Sequence, residues 1–264
     1  MRLQPYTSSG LGWLLSLIYQ VDPALSEDLH KTARVKDFSV STWLAVTTED
    51  IELERSGEPR TLTPVDSVAQ GSRVSLRVTA ADDNMITTIL MALAAGEVPP
   101  LAGTPVAVAD FPDVLSPADR LDCFACPWEA LLAAPPAQRI ELYFASPTAF
   151  SSQGRDILLP ETKRILESWS RKWTAWGGPE LMPLANIDAM AADILVDSYQ
   201  LQTSIHGHGR ARNRGFSGSL NWMLSAGSVL EVRCAVATLA GFANFCGTGA
   251  KTNFGFGQTR AQIT

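Results

Sequence analysis

The sequence predicts an α+β protein made of two ferredoxin-like (RRM-like) units in tandem, each running β-α-β-β-α-β. Three observations carry this expectation. At 264 residues the chain has room for two domains of ordinary size. Runs that alternate apolar and polar residues, as strands do, are interleaved with longer apolar runs in the same order in both halves. The second helical run of each half is almost uniformly Ala, Leu and other apolar residues, as expected of a helix laid onto one face of a sheet.

In the first half, a short N-terminal strand leads to Ser8-Ser9, which can cap a helix from about residue 10 to residue 20. Asp22-Pro23 breaks that helix, and a second short one runs to His30. DFSVSTWLAV (residues 37–46) and GSRVSLRVTA (71–80) read as strands. Residues 47–70, rich in Glu, Pro and Gly, read as an exposed loop or small hairpin. Asp82 or Asp83 caps the helix NMITTILMALAAG, and TPVAVADF (104–111) supplies the closing strand. The expected first domain is 1–120, followed by a linker at 121–136.

The second domain, 137–264, repeats the order. QRIELYFASP is a strand and PETKRILESWSRKW a helix. ILVDSYQLQTSIHGH and RGFSGSLNWML pair around a Gly/Arg-rich turn. LEVRCAVATLAGFANFCG is a helix and FGQTRAQIT the last strand. Trp169, Trp173 and Trp176 are read as packing residues rather than a base-stacking platform.

Composition narrows the function. Hydrophobic residues make up 46% and charged residues 18%, which suits a packed core. There is no apolar run of about eighteen residues and no basic-then-apolar leader, so the expectation is a cytoplasmic protein with no membrane partner. Cys123 and Cys126 form a single CxxC while Cys234 and Cys246 stand apart, so reduced thiols are expected and no metal. The net charge of −6 argues against a generic nucleic-acid binder, yet it is unevenly spread. From Gly209 onward six basic residues face one acid, Glu231, so this stretch carries +5 and the preceding 208 residues −11. A local positive field of that kind suits phosphate capture.

GTGAKTNFGFG (247–257) is the most distinctive stretch. It is not a phosphate loop, because Ala250 precedes Lys251 and no helix has room to follow. It is not a dinucleotide fingerprint either, since Thr252 stands where a third glycine belongs. No nucleotide cofactor is therefore expected. The glycines suit close approach of backbone to a ligand, or simply a turn.

This loop, placed between the last helix and last strand of the second unit, resembles the repeat-cleaving endoribonucleases of CRISPR systems, the Cas six family of RNA-binding proteins. Three other stretches are similar to the same family: FASPTAFSSQGRDILLPETKRILESWSRKW, RGFSGSLNW, and LIYQV followed by DLHKTARVKDFSVS. The resemblance implies metal-independent cleavage of precursor CRISPR RNA within each repeat. The 2′-hydroxyl would attack, leaving a 2′,3′-cyclic phosphate and a 5′-hydroxyl. Alternatively, a member of this superfamily binds CRISPR RNA without cutting it, as a subunit of an effector complex. The implied partners are repeat RNA and other effector subunits, with the chain a monomer or homodimer.

Such chemistry needs a base, an acid and positive charge near the phosphorane. In some family members a tyrosine, a histidine and a lysine supply these, and the matching positions are Tyr19, His30 and Lys36. Leu14, Leu17, Ile18 and Val21 form the apolar stripe of the first helix, and Tyr19 projects away from it. For RNA binding the resemblance implies Gly247, Gly249, Lys251, Thr252, Gly255 and Gly257, with Phe254 or Phe256 packed beneath the loop or stacked on a base. In HGHGRARNRG, Arg210, Arg212 and Arg214 alternate and in an extended strand face one side, toward phosphates or a repeat stem. His206 and His208 in the same turn are rival proton donors to His30.

Overall fold

The computed structural model describes residues 7–31, 35–46, 69, 71–101, 105–108, 125–181, 186–206 and 213–264. They fall into two compact units: residues 1–34 with 40–125, and residues 35–39 with 126–264. Among the described residues, no helix is long and apolar enough to cross a membrane.

In the first unit, helix α1 (Thr7–Tyr19) is followed by α2 (Pro23–Lys31). Pro23 opens α2 because a first-turn proline loses no intrahelical bond, and Asp22 caps it, its Oδ1 accepting from Leu25 N at 2.9 Å. Leu14, Leu17 and Ile18 are buried, as their spacing predicts, but Val21 is exposed because it sits in the turn beyond the helix. Helix α3 (Asp83–Ala94) is capped by Asp82, whose carboxylate accepts from Asn84 N.

Both expected strands here are broken in two. DFSVSTWLAV forms β1 (Phe38–Val40) and β2 (Leu44–Val46), while GSRVSLRVTA forms β3 (Arg73–Ser75) and β4 (Val78–Ala80). β2 pairs antiparallel with β3. The break has a physical cause. Ser41 Oγ accepts from Arg77 N at 2.8 Å, taking the place of a ladder carbonyl, and Trp43 turns inward against Trp13, with ring centroids 5.4 Å apart. The expected N-terminal strand lies outside the described residues, as does loop 47–70 apart from Ala69 and the linker 121–136 apart from residues 125–136. Residues 105–108, in the expected closing strand, are irregular, and the rest of that strand is outside.

The second unit follows the expected order. Helix α4 (Trp128–Leu132) precedes β5 (Arg139–Thr148), and a hairpin of β6 (Phe150–Ser152) and β7 (Arg155–Ile157) leads to α5 (Thr162–Ala175). Then come α6 (Ile187–Ala192), β8 (Ile194–His206), β9 (Asn213–Leu224), α7 (Leu230–Cys246) and β10 (Thr259–Ile263). The sheet order is β10-β5-β9-β8, antiparallel throughout. Counting only its four strands, that is 4-1-3-2, the ferredoxin-like arrangement. Helices α5 and α7 pack together over the core, where Trp169, Trp173 and Trp176 are all buried. Trp173 and Trp176 stand edge-on to Phe242, and Trp169 lies 5.7 Å from Trp222. They are core, as expected.

The β5–β9 ladder is interrupted between Phe144 and Thr148. Pro147 cannot donate to a ladder, so an irregularity there is where a proline fits. The freed backbone has another use, described below.

Candidate functional site

Two of the three expected catalytic residues line one shallow depression in the first unit. Its wall from α1 is Leu15, Ser16 and Tyr19, and from α2 Ser26, Glu27, His30 and Lys31, around a volume of about 320 Å³. The turn at residues 20–22 folds α2 back on α1, and Ser26 Oγ donates to Leu15 O at 2.8 Å to fix the pair. Tyr19 and His30 thus reach the same depression from two helices, both exposed to solvent. Lys31 pairs with Glu27 on the rim, which holds the Glu27 carboxyl below its ordinary range, mainly through the hydrogen bond to that ammonium. Lys36 lies in segment 35–39, which clusters with the second unit. There its backbone carbonyl accepts from Trp176 Nε1 at 2.9 Å.

The second feature is the loop of residues 247–257, which joins α7 to β10. It is anchored by the other family-like stretches of its own unit. The broken segment of β5 forms one side: Pro147 O accepts from Gly257 N at 3.0 Å, Ala149 O from Ala250 N at 2.8 Å, and Ser146 Oγ from Gln258 N at 2.9 Å. Helix α5 forms the other side through residues that share one face. Ser168 Oγ accepts from Gly249 N at 2.8 Å, Trp169 Nε1 donates to Thr248 Oγ1 at 2.8 Å, and Lys172 Nζ donates to the carbonyls of Cys246 and Gly247 at 3.1 and 2.9 Å. Thr248 N closes the loop on Gly257 O at 2.7 Å.

Glycine is required here by close packing. Gly249 and Gly257 have φ of +79° and +66°. A Cβ on either would come closer than 3.0 Å to a backbone carbonyl oxygen, that of Ala149 or of Thr248. Gly247 and Gly255 are also left-handed, and so is Lys251, at φ +61°. The N–H groups of residues 247–250 and 256–257 are already bonded within the protein, so these do not point at a ligand. Thr252 and Phe256 are buried beneath the loop, whereas Lys251 and Phe254 are exposed on it. Of the residues expected to bind RNA within this loop, Lys251 and Phe254 thus remain accessible, and the glycines and Thr252 shape the support. Arg214 is exposed on β9 opposite Ile205, while Arg210, Arg212 and His208 lie outside the described residues, as does the side chain of His206.

Sequence reasoning missed Ser146, Ser168 and Lys172, which hold the loop. Lys172 is the least expected: a lysine buried on the helix face it shares with Ser168 and Trp169, with burial, and to a lesser degree Arg171, drawing its amine down to about 8. The sequence signal was a lysine one turn after Ser168-Trp169, which by itself does not reveal burial.

The family model of the CRISPR-associated endoribonuclease Cas6 matches residues 142–259, from β5 to the start of β10 with the loop inside. This segment of the chain is similar to the Cas6 family. Curated Cas6 endoribonucleases match it at 25% identity over 130 residues in Mycobacterium tuberculosis and at 28% over 118 residues in Streptococcus thermophilus. These matches cover 49% and 44% of this chain and only 41% and 47% of those relatives. A solved Cas6 (TTHB231) product complex, of the Thermus thermophilus protein, superposes with a TM-score of 0.75 at 24% identity, covering 99% of this chain and 97% of that one. A Cas6 (TTHA0078) substrate mimic complex does so at 0.69 and 22%, covering 99% and 97%. At such identities these two show the shared fold, here across nearly the whole length. The Cas6 family match includes the loop and its supports but not Tyr19, His30 or Lys36.

Proposed function

We propose that this chain is a metal-independent endoribonuclease that cuts precursor CRISPR RNA within its repeats. The observation that carries the reading is the depression where Tyr19 and His30 meet, in a chain whose second unit bears the Cas6 loop. The 2′-hydroxyl upstream of the scissile phosphate attacks phosphorus and gives up its proton, while the 5′-oxygen leaves and takes one. The P–O5′ bond breaks as the P–O2′ bond forms, giving a 2′,3′-cyclic phosphate and a 5′-hydroxyl. Water is not consumed. An imidazole and a phenol at one depression supply the two proton-transfer groups, His30 having the central role. Lys36 is assigned the stabilisation of negative charge on the phosphorane. Lys251, Phe254 and the Arg210, Arg212 and Arg214 series hold the RNA backbone and bases. The repeat-RNA complex is the functional form, with or without further effector subunits.

The test is incubation of the full chain with its repeat RNA in EDTA, followed by end-group analysis. The expected products carry cyclic phosphate and 5′-hydroxyl ends, and a 2′-deoxy residue upstream of the cut abolishes cleavage while binding persists. Cleavage that needs added metal, or that survives the 2′-deoxy substitution, refutes the mechanism. Tight binding without products points instead to a non-catalytic RNA-binding subunit.

A further inference from the structure

The cradle of the loop contains a charge that the proposed chemistry does not use. Lys172 is buried on α5, and among the described residues its Nζ donates to the carbonyls of Cys246 and Gly247. Those are the end of α7 and the first residue of the loop, where an α-helix leaves unpaired carbonyls and negative partial charge. A lysine there completes the helix end and fixes the peptide from which the loop departs. Burying an ammonium is costly, and an uncharged donor could cap the same carbonyls. The retained charge calls for a further explanation.

We propose that Lys172 is a positioning residue for RNA at the loop of residues 247–257: it sets the loop's first peptide and places a buried positive charge behind it, toward which a phosphate of the bound RNA is drawn. This rests on the loop being an RNA-binding element. The two contributions separate with pH. A neutral amine still donates to both carbonyls, so deprotonation leaves the cap in place and removes only the charge. Burial holds the amine at about 8, so the charge is lost in a range where other contacts persist. Among the described residues, two titratable or charged groups act on it. Cys246 on α7 is pushed up to about 12 by its own burial, and Arg171 is on the same helix. Segment 35–39, whose Ser39 Oγ bonds Phe245 O, brings Lys36 and Asp37 to the same end of the unit. Binding of a phosphate near the ammonium favours its charged form, so RNA binding takes up a proton.

The experiment measures affinity of the full chain for uncleavable 2′-deoxy repeat RNA from pH 7 to 9 at fixed salt. For the wild type we expect a loss of about three- to ten-fold, the size of one charge acting over roughly 10 Å through partly screened protein. Lys172→Arg, which keeps its charge, removes that step. Lys172→Met binds weakly at every pH. Calorimetry of the wild type at pH 8 in two buffers of different ionisation enthalpy needs no variant, and net proton uptake is expected. A flat wild-type profile without proton uptake overturns the proposal, as does Lys172→Met binding like the wild type. Failure of the wild type to bind the RNA at pH 7 overturns the RNA-binding reading itself.

Discussion

Replacing Gly257 with alanine tests whether the loop is held as described. At φ +66° an alanine pays about 1–2 kcal/mol for the left-handed conformation. Its Cβ would also come closer than 3.0 Å to Thr248 O, a backbone atom that cannot swing aside. The two chain segments must part, which weakens the bond from Thr248 N to Gly257 O and the bond from Gly257 N to Pro147 O. At about 0.5–1.5 kcal/mol each, these bring the total to about 2–5 kcal/mol. Five of the seven tryptophans lie in the second unit, so fluorescence during urea unfolding reports mainly on it. With a slope of about 2 kcal/mol per molar urea, the middle of the usual range, the midpoint should fall by about 1–2.5 M. Gly227→Ala is the control: its φ is not left-handed and the nearest atom to an added Cβ is Ser225 Oγ at 4.0 Å, so a change within about 0.5 kcal/mol is expected. If Gly257→Ala unfolds at the wild-type midpoint, the loop is not packed as described and the case for its rigidity fails.

His30→Ala should lower the single-turnover cleavage rate by about 10² or more while leaving the unfolding midpoint unchanged, since the side chain is exposed; a near-normal rate moves the proton-transfer role to His206 or His208. Trp169→Phe should cost about 1–2 kcal/mol in urea unfolding, because Thr248 Oγ1 loses the indole donor it receives at 2.8 Å; a smaller effect would mean that Thr259 Oγ1, 2.7 Å away, is partner enough. The buried pair Lys172 and Cys246 also sets the alkaline stability of the second unit. Lys172 has its amine at about 8 against 10.5 unfolded, so between those values the unfolded chain binds more protons and stability rises with pH. Cys246, at about 12 against 9.0, acts in the opposite sense above pH 9. Stability should therefore gain about 1 kcal/mol from pH 8 to 9 and then level off, as read by chemical denaturation; a fall over pH 8 to 9 would contradict the burial of Lys172. It would also remove the contrast with RNA affinity, which moves the other way over that range.

The second unit was legible because its signals are local and redundant. β5, α5, β8, β9, α7 and β10 each combine a clear hydrophobic period with a turn, and their order fixes the sheet once helices must cover one face. The first unit was less so. DFSVSTWLAV has the composition of one strand, but Ser41 diverts a ladder bond to its side chain and Trp43 turns to the core. Alternation of residue types does not register either event. Tyr19 was readable because its position off the stripe of Leu14, Leu17 and Ile18 is a matter of helical angle alone. That His30 shares its depression depends on how sharply residues 20–22 reverse the chain, which single-residue patterns do not give.

The loop shows the same limit more sharply. Each family-like stretch could be recognised separately, and its glycines suggested backbone laid open to a ligand. The structure turns most of that backbone inward: the N–H groups that a free glycine loop would offer are taken by Pro147, Ala149, Ser168 and Ala243. Glycine is needed at positions 249 and 257 because two pieces of protein come within contact distance there. The stretches ASPTAF, SWSRKW and GTGAKTNFGFG thus form one object, a loop fastened to a broken strand on one side and a helix face on the other. Under the proposed function, what this object offers to RNA is the side chains it displays, Lys251 and Phe254, and the charge held behind it on Lys172. A rigid mount for few contacts favours binding by lowering the ordering cost at each contact rather than by adding more of them.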